Sequence, residues 1–366
     1  MTVKTILFVG LVALLSLTSP ASASPAPEQT QNSADDQSPA GSPQGNRSAT
    51  PTSGVTGAPV IRPTPQEPQP PKIEGSMVGY IDDAIIGSHI RTRFESGWHA
   101  QFPDRAEYFY AKCGCYQALA GSGLPAFDPK APGPQGGVAT DLNYQELYVY
   151  GEYAPSSRFS FFAEAPIRWL QPNSFVPGTG SFGSQAGFSD LRAGVKASLL
   201  NTEDNVLTVQ LKSYLPTGDA TRGLGTNHYS IEPALLFYRR ASRMAVESQF
   251  SYWQPIGGSR GVANTASNSD PGSFAGGVLS YGIGPSLQVV NSDHLRVAPV
   301  IELVGWRVVG GQETVWVAAN HIADNVSGTN IVNLKAGFRI NVGPHNSVYI
   351  GYGHALTQAV WYENLV

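Results

Sequence analysis

The chain has 366 residues, of which only 14% are charged, against about a quarter in an ordinary soluble domain. Its net charge of −4 excludes nucleic acid and other strongly charged partners. Its 40 glycines and 16 tyrosines suit a sheet closed on itself, which needs close strand approach and interfacial aromatic residues.

The first residues read as a secretory signal over 1–23. Lys4 supplies a short positive region, Ile6 to Leu17 is an apolar stretch too short to span a bilayer, and Ala21-Ser22-Ala23 is a small-residue cleavage site. No cysteine stands at the cleavage point, so a lipid anchor is not expected. Residues 24–75 are Pro, Ser, Gln, Thr and Gly with almost no aliphatics. Such a polymer cannot bury enough apolar surface to offset its ordering entropy, so a disordered spacer is expected, semi-extended near Pro63 to Pro71.

From Ile86 to His99 the chain alternates without a break. Ile86, Ser88, Ile90, Thr92, Phe94, Ser96 and Trp98 share one face; Gly87, His89, Arg91, Arg93, Glu95, Gly97 and His99 share the other. A strand reverses its side chains at every residue, so this is a strand with an apolar-to-small face and a charged face. Similar runs follow at Leu142–Ala154, Phe159–Trp169, Ser189–Leu199 and Val206–Leu215. Weaker ones lie at Ser230–Tyr238, Met244–Gln254 and Gly276–Val290, and clean ones at Leu295–Leu303 and Ile331–Val342. Ser347–Leu356 and a final run from Val360 complete about twelve strands of ~10 residues, within the range of bacterial barrels. The expected fold is all-β: a single closed antiparallel transmembrane β-barrel over 76–366 behind a disordered N-terminal extension. A soluble β-sandwich would also bury one face of each strand, but does not call for a dozen long strands.

The connections alternate in length. Short turns lie at Pro155–Arg158, Asn201–Asn205, Arg239–Ser242, Asn291–His294 and Gly343–Asn346. Long Gly-rich loops lie at Gln101–Thr140, Gln171–Ala186, Pro216–Asn227, Gly257–Ser273 and Gly310–Asn330. Outer-membrane barrels put short turns in the periplasm and long loops outside. The expected location is therefore the cell outer membrane with the spacer in the periplasm. Membrane lipid is then the partner of the apolar face, with Trp98, Trp169 and Tyr252 in its outer aromatic girdle. The chain ends in Asn364-Leu365-Val366 rather than the usual closing aromatic, so a short or truncated last strand is expected.

Residues Gly187–Leu199 and Leu211–Phe237 carry a strand with Gly187, Asp190, Gly194 and Lys196. A loop with Pro216, Thr217, Gly218, Asp219, Gly223 and Gly225 follows. This pattern resembles the MetA-pathway of phenol degradation family. The resemblance implies an outer-membrane barrel with a transport role; phenol itself is not carried over as a solute.

The lumen-facing candidates are His89, Arg91, Arg93, Glu95, Glu146, Glu152, Glu164, Arg168, Asp190, Arg192, Lys196 and Lys212. Opposite signs on neighbouring strands either cross-link the inner wall or form a charged constriction that selects small solutes. Gly276, Ser280, Gly282, Gly284, Ser286 and Gln288 leave room on another wall. Cys113 and Cys115 are two apart in the first long loop, where a local disulfide would act as a loop staple. No further metal ligands accompany them, and no metal or cofactor is expected. His228 and Ser230 have the residue types of a nucleophile and its base, but they sit inside the family motif and catalysis is not expected. The reading is a porin-like channel or facilitator for passive uptake of small molecules, aromatic or apolar compounds among them. The alternatives are a structural or adhesive barrel and, behind it, a barrel lipid hydrolase.

Overall fold

A computed structural model describes residues 81–100, 133–134, 136–137, 139–257, 274–292, 294–317, 320–343 and 346–366, with backbone only over 313–324. The signal sequence, the spacer and Cys113–Cys115 lie outside the described residues.

In chain order the strands are β1 (His89–Ala100), β2 (Ala139–Ser156), β3 (Phe159–Phe175), β4 (Gln185–Phe188), β5 (Leu191–Asn201), β6 (Asn205–Leu215), β7 (Tyr229–Ala241) and β8 (Met244–Ile256). They continue as β9 (Val278–Leu287), β10 (Val290–Asn291), β11 (Leu295–Val308), β12 (Gln312–Val317), β13 (Asn320–Asn325), β14 (Asn330–Val342), β15 (Asn346–Ala355) and β16 (Asn364–Leu365). Apart from the separate β12–β13 hairpin, the strands run antiparallel in one ring in which β11 is followed by β14 and β16 joins β15 to β1. β4 and β5 act as one stave interrupted at Ser189–Asp190, as do β9 and β10, which gives a closed barrel of twelve staves. Closure leaves no long edge to pair with another chain.

Local chemistry makes the short connections. The β7–β8 hairpin turns in two residues, Ser242-Arg243, with Ser242 at φ 57°. A positive φ at the first turn residue matches the right-handed twist of the flanking strands. The long connections are more built than their Gly-rich sequence suggests. The loop after β6 holds one turn of 3-10 helix at Ala220–Arg222, capped by Asp219 and ended by Gly223 at φ 75°. The loop after β11 is itself a hairpin, β12–β13.

The two faces separate by polarity. Ile90, Phe94, Phe161, Leu211, Leu235, Phe250, Ile301, Phe338 and Ile350 point outward and are exposed. The inward residues are layered along the barrel. Towards the long-loop end they are apolar or aromatic: Leu142, Tyr144, Leu170, Tyr214, Trp253, Val304, Trp306 and Ile331 form one buried cluster. Deeper, they are polar and buried: Glu146, Glu152, Glu164, Arg168, Lys196, Gln210, Glu302 and Lys335 among them.

Several boundaries differ from the sequence pattern: β3 runs on to Phe175 and β11 to Val308, beyond the expected Trp169 and Leu303. β1 starts at His89, not Ile86. The final run from Val360 yields only two residues of strand, while Val360, Trp361 and Tyr362 are buried. Trp361 meets Trp306 edge-on at 5.2 Å and joins the aromatic layer. Burial of these two large rings and of the adjacent Leu365 outweighs strand pairing here.

Candidate functional site

The lumen is built from the strand register outward. Glu146 on β2 faces Arg168 on β3, and Glu164 on β3 faces Arg192 on β5. Arg168 Nε donates to Glu146 Oε1 at 2.6 Å with both side chains fully buried. Arg192 donates to Glu164 Oε1 at 2.7 Å. Lys196 reaches Glu152 Oε2 at 2.8 Å, and Ser160 donates to the same carboxylate at 2.7 Å. Three ion pairs thus cross-link β2, β3 and β5 in a region where unpaired charge would be costly.

Two tyrosines on β2 stand between these charges. The Tyr148 hydroxyl lies within hydrogen-bond distance of both Glu146 and Glu95. These carboxylates are direct register partners on β2 and β1, and like charges so placed need a donor between them. The Arg93 guanidinium lies 4.1 Å from the centre of the Tyr148 ring, and Arg91 4.7 Å from Tyr150. Each arginine is thus held on a ring face by cation–π attraction. The sequence reading named the charges and passed over Tyr148 and Tyr150, although their alternation with Glu146 and Glu152 was visible. It likewise omitted Glu302 and Lys335, which are register partners on β11 and β14 and fully buried.

Asp190 sits apart from this ladder. It lies in the break between β4 and β5 and accepts from Gly218 N at 3.0 Å and from Thr226 N and Oγ1 at 2.7 Å. Thr217 Oγ1 accepts from Leu191 N at 2.9 Å, and Asp219 caps the 3-10 turn. Thus Asp190, Thr217, Gly218 and Asp219 tie a loop to the strand break. Gly194 serves packing: a Cβ there would lie 2.5 Å from the Phe162 ring.

The largest departure from the sequence reading is what fills the roomy wall. Residues 81–88 precede β1 and enter the lumen. Ile81 and Ala84 are almost fully buried. A Cβ on Gly282 would lie 2.9 Å from Ile81 Cγ1, so the glycines of β9 form a seat for this side chain. Asp82 Oδ2 accepts from Lys212 Nζ at 2.5 Å and Gln210 Nε2 at 2.7 Å. Asp82 N donates to Gln249 Oε1 at 2.7 Å, and Thr208 Oγ1 donates to Ala84 O at 2.6 Å. Ala84 and Ile85 pack on Val206, Leu236 and Tyr238. Burial alone would raise the Asp82 carboxyl, but the Lys212 ammonium outweighs it and holds the carboxyl well below the usual carboxylate range. The signal for this plug was present: Ile81, Ala84 and Ile85 interleave with Asp82 and Asp83 between the Pro-rich stretch and β1.

A cavity of about 60 Å³ remains beside the plug, bordered by Asp82, Lys212, Arg93, Arg192, Trp306 and Trp361. His228 and Ser230 lie at the outer end of β7, with 3.2 Å between Nδ1 and Oγ. The imidazole packs against Trp253.

Fold and lumen together define a plugged, ion-paired twelve-stranded β-barrel. Its structural neighbours include the COG4313 outer membrane channel from Pseudomonas putida F1, at 13% identity and TM-score 0.42, covering 76% of this chain and 91% of that one. Another is the outer membrane transporter YddB from Escherichia coli, at 10% identity and TM-score 0.26, covering 74% of this chain and 39% of that one. At such identities and scores neither likeness bears on what this chain does. No protein-family model and no curated protein matches it.

Proposed function

We propose that this protein is an outer-membrane channel for passive passage of small molecules, closed at rest by residues 81–88. The observation that carries the reading is the inversion of polarity. The outward face is apolar around the ring, and the charges are inside. Each large apolar side chain left in water would forgo about 1.5–3 kcal/mol, so lipid is the partner this face fits. The short turns then face the periplasm, and so does the spacer that leads into the plug. Three buried ion pairs cross-link β2, β3 and β5, and among the described residues the segment seated on the small-residue wall is not a strand of the barrel. A hydrolase role has less support: His228 and Ser230 are both buried, and the imidazole packs on Trp253.

Single-channel recording in planar bilayers tests this. The intact protein should conduct weakly and rarely, and a variant lacking residues 81–85 should conduct steadily. A deletion variant that folds, by heat-modifiable gel migration, yet never conducts would overturn the channel reading.

A further inference from the structure

Asp82 occupies a seat that is complete without the rest of its segment. Lys212 supplies an ammonium and Gln210 an amide, both converging on one carboxylate oxygen. We propose that this seat binds the carboxylate of a small organic acid, and that the acid opens the channel by taking the place of Asp82; the proposal rests on the channel reading above.

Three observations carry it. The first is charge. Lys212 has Asp82 at 2.5 Å and Glu232 only at 4.0 Å. Withdrawing the plug with nothing in its place strips the ammonium of its close counter-ion. Exchange of one carboxylate for another avoids that cost. A ligand shifts an equilibrium only by its differential affinity for the two states. Here the seat is filled in the closed state and offered in the open one. The second is space. About 60 Å³ beside the seat holds a few waters and no organic solute, so acid and plug exclude each other. The third is surroundings. With Asp82 withdrawn, Lys212, Arg93 and Arg192 face only Glu164 and Glu232 around the same cavity, which Trp306 and Trp361 also border. The cations favour an anion, and the rings suit an apolar or aromatic body attached to it.

The probe is benzoate, with benzyl alcohol as its neutral counterpart. The readout is the labelling rate of an Ala84→Cys reporter in a Cys113→Ser/Cys115→Ser background, since Ala84 is buried while the plug is seated. Benzoate should speed labelling at least ~10-fold and benzyl alcohol should not. Asp82→Asn should label fast without benzoate, and in Lys212→Met benzoate should lose its effect. Equal action of the alcohol, or no action of benzoate on the parent, overturns the proposal. So does an Asp82→Asn protein that folds and stays unlabelled. Bilayer recording of the variant lacking 81–85 separates the two claims. If that variant conducts while benzoate has no effect, only the seat proposal fails. If it folds and does not conduct, the channel reading fails.

Discussion

Two arcs of the lumen settle their charges differently. On the arc from β2 to β5, glutamates and basic residues pair across the wall, on adjacent strands or over the strand between, and neutralise one another: Glu146 with Arg168, Glu164 with Arg192, Glu152 with Lys196. On the arc from β6 to β9, Thr208, Gln210, Lys212 and Gln249 turn to residues of the plug, and the glycines of β9 make space for Ile81. The first arc is finished once the barrel closes. The second needs a further element, and what is attached by one salt bridge and a few hydrogen bonds can be exchanged. Structural and functional charge thus coexist in one lumen, and local partners tell them apart.

The largest test of that contrast is Arg168→Met against Asp82→Asn. Arg168 and Glu146 are fully buried, so removing the cation strands a carboxylate, at about 3–5 kcal/mol. Thermal unfolding in detergent should show a large loss for Arg168→Met, whereas Asp82→Asn should unfold near the parent temperature and differ in conductance. If the two variants lose equal stability, the second arc is as structural as the first.

Next in size is Gly282→Val. The new side chain would claim the space of Ile81, whose Cγ1 lies 2.9 Å from the added Cβ. Overpacking of this kind costs about 1–3 kcal/mol. The cheapest relief is to expel the plug, because Val304 on the other side belongs to the wall. Conductance should rise with a small change in unfolding temperature. Unaltered conductance would mean that Ile81 is not what closes the pore.

A smaller effect is expected from replacing Arg91 and Arg93 together by Ala. Both lie on ring faces, Tyr150 and Tyr148 respectively, and Glu95 and Glu146 stand close by. Reversal potentials across a salt gradient should shift towards cation preference. A shift in stability with identical selectivity would place these arginines with the structural arc.

Much of this was legible in the chain. Strict alternation fixed which residues of β1, β2, β3, β5 and β6 face inward, because a one-residue slip would have put Arg93 or Lys196 among the outward Phe94 and Val195. Pairing partners were harder, since they depend on register, which alternation within one strand does not set. Glu95 therefore came to lie opposite Glu146 rather than a cation. Where the plug docks was not legible for a different reason, although its apolar residues were in view. Residues 81–88 have no repeat, and their burial comes from contacts with β6, β8 and β9, more than a hundred residues away. The small side chains of β9 were noticed as room, but a sequence pattern does not say what occupies it.

The smallest effect concerns acid. Asp82 carries a lowered pKa in the docked plug because of Lys212, while a released carboxylate titrates near the ordinary ~3.9. A group lowered in the docked state favours docking fully above the free value, and that contribution drains away only as pH falls through the docked one. The plug should therefore stay seated from neutral pH down to about 4.5, and labelling at Ala84→Cys should begin to quicken only below about 3.9. The neighbours that could mask this are His89, whose Nδ1 is 2.9 Å from Gly87 O, along with Asp83 and Glu232. Release at a pH well above the carboxylate range would point to the His89 imidazole instead. The hold on the plug would then lie at the foot of β1 and not at Lys212. Adding Asp82→Asn decides between them: if Asp82 is the latch, the variant is loose at every pH and its acid response disappears.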